Sequence, residues 1–392
     1  MRKAIFCELT FLFGLASAAC VPSGERTAHQ SPAPVAFATP GPTAAPLLLG
    51  GSAIVPNPML TRAKRVVGHS KVPYSDVHLA LDGDPDTAWT AGRPTPTDPA
   101  WLAIDVGTGP ARLLLFWGAS GSYNYEETDY GSPGAYRIET SADSTDGSGG
   151  TWTAVTEVPQ VLTHCGVHTV PFVGQRWVRL VVTGVPPVSP NGVQIDEVSV
   201  HDATASMDDT WFFMGDSITA LAFGRMAKDG ARFASIVHAR HPRYFPVVLN
   251  GGVGSTKSGD GANRVDDWMA RNPDVHFWAI EFGTNDAAGN ERDTTTFRKN
   301  LQTIVDHLRS ANHVPILATI PFANDGQHAD LPAFNAVIEE IRSEFGLPRG
   351  PDLYAWFLAH PEELRDGLHP NDKGIESMNR LWADAADALY PR

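Results

Sequence analysis

The stretch Phe212-Phe213-Met214-Gly215-Asp216-Ser217-Ile218-Thr219 decides the reading of this chain. An apolar run predicted as a strand ends at Gly215, and a helix is predicted to begin at once, so Ser217 stands at a strand-to-helix turn. In an open α/β sheet that edge is where ligands bind. The residues that follow have the same texture. Apolar strands at Trp211 to Met214, Val247 to Leu249, His276 to Ile280 and Val314 to Ile320 alternate with amphipathic segments. The clearest helix spans Thr295 to Ser310, with Phe297, Leu301, Ile304, Val305 and Leu308 on one face and Asp293 or Thr294 placed to cap it. Alternation of this kind predicts a parallel sheet covered by helices on both sides.

Upstream the pattern differs. Short β-type runs at Trp101 to Val106, Ala111 to Trp117, Ala135 to Thr140, Thr151 to Val158, Val167 to Phe172, Trp177 to Val182 and Val193 to Val200 are separated by Gly, Pro, Asp and Ser. Helical periodicity is absent there, which predicts an all-β sandwich or jelly roll over residues 51–205, followed by an α/β domain over 206–392. From Val21 to about residue 50 the chain is rich in Pro, Ala, Thr and Ser and reads as a semi-extended linker. Residues 1–20 read as an export signal: Arg2 and Lys3, an apolar stretch from Ala4 to Ala16 interrupted by Glu8, then small residues. Leu15-Ala16-Ser17-Ala18-Ala19-Cys20 reads two ways, as an Ala-x-Ala type cleavage site or as a lipidation box that acylates Cys20 and tethers the protein to a membrane. The expected location is therefore extracellular, periplasmic or on the cell surface.

With 392 residues the chain exceeds what one core usually organises, and a hydrophobic content of 42% is ample for two. Its net charge of -14 argues against nucleic acid, which needs clustered cations. Cys7 and Cys20 fall in the signal, so Cys165 stands alone in the folded part and no intramolecular disulfide can form there. Its simplest reading is a buried small hydrophobe.

Ser217 taken alone would serve as a helix cap just as well as a nucleophile. Thr219 also occupies the place of the second glycine in Gly-x-Ser-x-Gly, which disfavours the α/β-hydrolase elbow. Three further segments change the weighing: Asn250-Gly251-Gly252-Val253-Gly254-Ser255, Gly283-Thr284-Asn285-Asp286 and Asp366-Gly367-Leu368-His369-Pro370-Asn371. Taken with the Gly-Asp-Ser turn, in this order, they resemble the SGNH hydrolases, also called the GDSL esterase and lipase family, over roughly residues 209 to 392.

That resemblance implies a flavodoxin-like fold and a serine esterase. An alcohol needs a base to become a nucleophile, a part that falls to His369, with Asp366 fixing the imidazole. The resemblance assigns the oxyanion donors to the backbone N–H of Ser217, a backbone N–H in the second segment and the side-chain amide of Asn285. In the second segment the donor falls on Gly254 or, if the loop is one residue shorter, on Ser255; Gly254 is preferred. Asp216 and Asp286 read as loop-organising carboxylates. No cofactor is expected for catalysis.

Leu81-Asp82-Gly83-Asp84-Pro85-Asp86-Thr87-Ala88-Trp89, followed by Trp101-Leu102-Ala103-Ile104-Asp105-Val106-Gly107, looks like the discoidin, or factor 5/8 type C, module of the galactose-binding-like jelly rolls, over roughly residues 60 to 203. That resemblance implies a structural calcium near Asp82, Asp84, Thr87 and Glu197, whose oxygens suit a hard cation; an Asp-Gly turn without metal is the alternative. Tyr123, Tyr125 and Tyr130 are candidates for stacking on a sugar. Together the two halves suggest a carbohydrate O-acetylesterase acting on a polysaccharide. A lipase, lysophospholipase or thioesterase, or a non-catalytic glycan-binding adhesin, are the alternatives.

Overall fold

The computed structural model describes residues 54–61, 64–119, 125–126, 131–186, 192–224, 229–288 and 293–391. The expected signal, the linker, Cys20, Tyr123 and Tyr130 lie outside them.

The first half is built of antiparallel strands: β1 (Val66–His69), β2 (Trp89–Gly92), β3 (Ala100–Asp105), β4 (Arg112–Ala119), β5 (Ala135–Ser141), β6 (Thr153–Val158), β7 (Cys165–Pro171), β8 (Trp177–Gly184) and β9 (Val193–Asp202). They form a five-stranded sheet in the order β1-β3-β8-β5-β6 and a four-stranded sheet in the order β2-β9-β4-β7. The two sheets enclose one core, in which Leu102, Ile104, Leu115, Trp117, Ile138, Leu180, Ile195 and Val198 meet. The later strands follow the sequence reading within a few residues. Strands β1 and β2, of four residues each, carry too little alternation to be read in advance.

The second half alternates strand and helix: β10 (Thr210–Gly215), α1 (Ser217–Ala222), α2 (Phe233–Arg240), β11 (Val247–Gly252), α3 (Ser258–Arg271), β12 (Phe277–Glu281), α4 (Thr294–Ser310), β13 (Val314–Leu317), α5 (Leu331–Phe345), α6 (Leu353–Ala359) and α7 (Asp372–Ala386). Its strands are parallel, in the order β11-β10-β12-β13, the doubly wound order expected of a flavodoxin-like sheet. Every residue of β10 and β12 is buried, as expected for a parallel sheet covered on both faces. Val265 and Trp268 of α3, Leu301 and Ile304 of α4 and Ile338 of α5 cover one face. Phe233 and Val237 of α2 with Met378 and Trp382 of α7 cover the other. α4 begins where predicted: the Asp293 side chain accepts from the Thr295 N–H at 2.9 Å.

The described residues belong to one compact unit, and the two halves share a core. Strand β4 explains how. Leu113, Leu115 and Trp117 point into the sandwich, while the alternate residue Leu114 joins Cys165, Val167 and Ala203 in the cluster that holds Phe212 and Leu249 of the parallel sheet. The β2-β9-β4-β7 sheet is thus packed on both faces, and Cys165, 4% exposed, is the buried small side chain expected of it. Among the described residues no helix is long and apolar enough to cross a membrane.

Candidate active site

Strand order reverses direction at β10, so the C-terminal ends of β10 and β12 open the crevice where doubly wound sheets bind ligands. Gly215 ends β10 in register with Gly252 and Glu281. No larger residue fits there, because a Cβ would stand 2.1 Å from Thr219 Oγ1 and 2.4 Å from the Glu281 carbonyl. Asp216 then caps α1, its Oδ1 accepting from the Ile218 N–H at 2.9 Å. The cap is therefore Asp216, which frees Ser217, the first helical residue, for other work.

The Ser217 hydroxyl meets His369 Nε2 at 2.9 Å, and His369 Nδ1 meets Asp366 Oδ2 at 2.9 Å. Asp366 Oδ1 accepts from the N–H groups of His369 at 2.7 Å and Leu368 at 3.1 Å. Burial works against ionisation of Asp366, but these N–H donors and the imidazole outweigh it and hold the carboxyl down at about 2. Gly367, at φ 82°, lets the chain turn between acid and base, and its carbonyl accepts from the Asn324 N–H at 2.8 Å. The loop is fixed at its far end by Asn371, whose Oδ1 accepts from Lys373 and Gly374 at 3.1 Å to cap α7. Asp366 keeps 48% of its side chain exposed, and an exposed pair of this kind adds only about 0–1 kcal/mol to stability. Stability therefore does not account for so many aligned donors, whereas holding the imidazole in one orientation does.

Asn285 Nδ2 donates to the Thr256 carbonyl at 2.9 Å and more weakly to Asp216 Oδ2 at 3.3 Å. The second segment forms a turn in which the Val253 N–H donates to the Gly215 carbonyl at 2.9 Å and the Thr256 N–H to the Val253 carbonyl at 3.4 Å. The left-handed residue of this turn is Ser255, at φ 64°, while a Cβ on Gly254 would meet nothing within 4 Å. The four segments therefore converge on one site. Asp286 organises it from behind, accepting from the Ser258 N–H at 2.9 Å.

Glu281 escaped the sequence reading. It is buried beneath the Gly215–Ser217 turn, where Thr219 Oγ1 donates to its Oε2 at 2.8 Å. Desolvation, and then the neighbouring Asp216, push its carboxyl well above the usual range, and burial raises Asp216 to about 7. A charged residue closing an otherwise apolar strand was the signal available in Trp278-Ala279-Ile280-Glu281.

In the first half, Glu197 Oε2 accepts from the Gly83 N–H at 3.0 Å and Asp82 accepts from the Asp84 N–H and the Thr87 hydroxyl at 2.8 Å. Asp82, Asp84 and Thr87 thus share one turn, which Glu197 of β9 reaches through the Gly83 N–H. Among the described residues no three His, Cys, Asp or Glu side chains gather as a metal set. Tyr125 does not offer a face to sugar: it is 1% exposed and packs edge-on against Phe212 and Trp268.

Residues 213–376 match the model of the GDSL-like lipase/acylhydrolase family. Over 146 residues the chain is 27% identical to a multidomain esterase of Ruminococcus flavefaciens, an alignment covering 35% of this chain and 18% of that one. The chain thus spans less than a fifth of the length of that curated relative. Among solved structures it is similar to a lipase/acylhydrolase from Enterococcus faecalis, at 26% identity over 45% of this chain and 94% of the other, TM-score 0.38. It is also similar to the acetylxylan esterase Axe2 from Geobacillus stearothermophilus, at 20% identity over 47% and 95%, TM-score 0.38. The match places the likeness to that family in the α/β half of the chain, at residues 213–376.

Proposed function

We propose that this chain, with its GDSL-like domain at residues 213–376, is an exported carbohydrate esterase that removes acetyl or similarly small acyl groups from a polysaccharide. The observation that carries the ester chemistry is the unbroken relay Ser217 to His369 to Asp366, with both links at 2.9 Å. As Ser217 Oγ bonds the acyl carbon, its proton passes to His369 Nε2. Collapse of the tetrahedral intermediate breaks the ester C–O bond and returns that proton to the leaving alcohol. Water then attacks the acyl-enzyme by the same route, releasing the acid and restoring the Ser217 hydroxyl.

The oxyanion takes backbone N–H groups at Ser217 and in the Gly254–Ser255 turn, and the Asn285 N–H now spent on the longer contact to Asp216. Each such donor is worth about 3–4 kcal/mol in the transition state. The glycan part of the reading is supported by the sandwich in the same chain, read as a discoidin-like jelly roll, and by the expected export signal at residues 1–20.

The test is acetate release from a panel of acetylated polysaccharides, set beside acetyl and long-chain nitrophenyl esters, with Ser217→Ala as the control. Acetate from a glycan, lost in the variant, supports the reading. Turnover confined to long acyl chains moves the assignment to a lipase or thioesterase, and an equally inert wild type and variant that still bind glycan make it an adhesin. A structural calcium at Asp82, Asp84, Thr87 and Glu197 is proposed separately. A Tm that rises when calcium replaces EDTA supports it, and an unchanged Tm contradicts it.

A further inference from the structure

β11 leads into the turn that would hold the oxyanion and is the outermost strand of its sheet, so among the described residues one row of its N–H and C=O groups has no partner strand. The sandwich meets that row. The Tyr125 N–H donates to the Gly252 carbonyl at 2.9 Å, and Cys165 Sγ lies 3.9 Å from the Asn250 carbonyl. Gly252 ends the strand, and the Val253–Thr256 turn follows at once. That turn holds Ser255 in a left-handed conformation, which costs a non-glycine residue about 1–3 kcal/mol and persists only where its surroundings impose it.

Tyr125 is itself held from both halves of the molecule. Its carbonyl accepts from the His164 N–H at 3.3 Å, and its hydroxyl accepts from Asn272 Nδ2 at 3.0 Å, at the end of α3. Its ring stands edge-on to Phe212 of β10 at 5.2 Å and to Trp268 of α3 at 6.1 Å. Next to it, Glu126 accepts from Trp268 Nε1 at 3.2 Å. A sandwich residue is thus wedged between the nucleophile strand, the oxyanion strand and the helix that follows the turn.

We propose that Tyr125 is a positioning residue for the esterase reaction: it pins Gly252 and thereby the Val253–Thr256 turn, so that the sandwich is a working part of the oxyanion wall. The proposal rests on the esterase reading above. It also removes Tyr125 from the candidates for sugar contact, since the side chain is spent inside the molecule.

The experiment uses the full chain and compares Tyr125→Ala and Tyr125→Phe with Phe172→Ala. Phe172 is wholly buried in the sandwich core and belongs to no cluster that reaches the parallel sheet. Each variant is assayed on an acetyl nitrophenyl ester well below its own Tm, and labelling of Ser217 by a phosphonate is timed. For Tyr125→Ala the expected result is a kcat lower by about ten- to a hundred-fold, with slower labelling and little change in KM, as follows when a reacting group is displaced by about 1 Å. Tyr125→Phe keeps the ring and the backbone and should recover kcat, while Phe172→Ala should lose Tm and keep kcat.

A Tyr125→Ala protein with the kcat of Phe172→Ala overturns the proposal. Should Tyr125→Ala not fold, Tyr125→Leu takes its place in the same comparison. Wild-type protein without Ser217-dependent turnover overturns the esterase reading and this proposal with it. Normal wild-type turnover beside an undisturbed Tyr125→Ala overturns this proposal alone.

Discussion

At the scale of single residues, the site works because neighbouring positions have taken on separate tasks. Asp216 caps the helix so that Ser217 need not, and Gly215 has no side chain because Thr219 and Glu281 fill the space. Gly215→Ala should therefore cost both stability and turnover, read as a lower Tm together with loss of esterase activity; an unchanged kcat would mean that the turn relaxes freely. Asp366→Asn should lower kcat by about 10²- to 10⁴-fold, because the amide no longer fixes the tautomer of His369. Its carboxyl, held at about 2, stays ionised through any pH at which the protein is assayed. A fall in activity in mild acid should thus belong to another group, and an acid limb should remain in Asp366→Asn. The sequence made Ser217, Asn285, Asp366 and His369 legible because each stands in a short motif at a predicted strand end or loop. It left Gly254 and Ser255 undecided, since any residue offers a backbone N–H, and only the φ of 64° identifies Ser255 as the left-handed member of the turn.

At the scale of elements, helix ends and buried strand ends set how the site responds to mutation and pH. Asn371 caps α7 through two N–H groups, so Asn371→Ala should cost about 1 kcal/mol, read as a small drop in Tm. Asp209 lies at the start of β10, wholly buried, with Oδ1 accepting from Tyr390 at 2.9 Å and from Trp211 at 3.3 Å. Burial raises its carboxyl to about 7 from an ordinary 3.8. A raised folded-state value gives stability that is full below 3.8 and is lost as pH climbs through 7. Asp209→Asn removes that loss, so its Tm relative to wild type should rise between pH 5 and pH 8; a constant difference would contradict the assignment. Strands of five residues or more, and α4 among the helices, were legible from their pattern. The four-residue β1 and β2 were not, because their register is set by β3 and β9 across the sheet rather than by their own pattern.

At the scale of the whole molecule, the boundary that composition draws near residue 205 is not a break in packing. Leu114, Cys165 and Val167 of the sandwich lie in one cluster with Phe212, Leu249 and Trp268 of the hydrolase half. Calorimetry of the full chain should accordingly show one cooperative transition for the folded part, and two well-separated transitions would contradict the shared core. The sequence carried one sign of it: Leu113-Leu114-Leu115-Phe116-Trp117 in β4 is a continuous apolar run rather than an alternation, as a strand covered on both faces requires.

The central claim is that Ser217 is the nucleophile of a triad completed by His369 and Asp366. Its most direct test is the intact mass of the protein after exposure to a fluorophosphonate ester. The account predicts one covalent adduct, mapped to Ser217, absent in Ser217→Ala and greatly slowed in His369→Ala. An adduct of equal yield in Ser217→Ala, or none in the wild type, would contradict it.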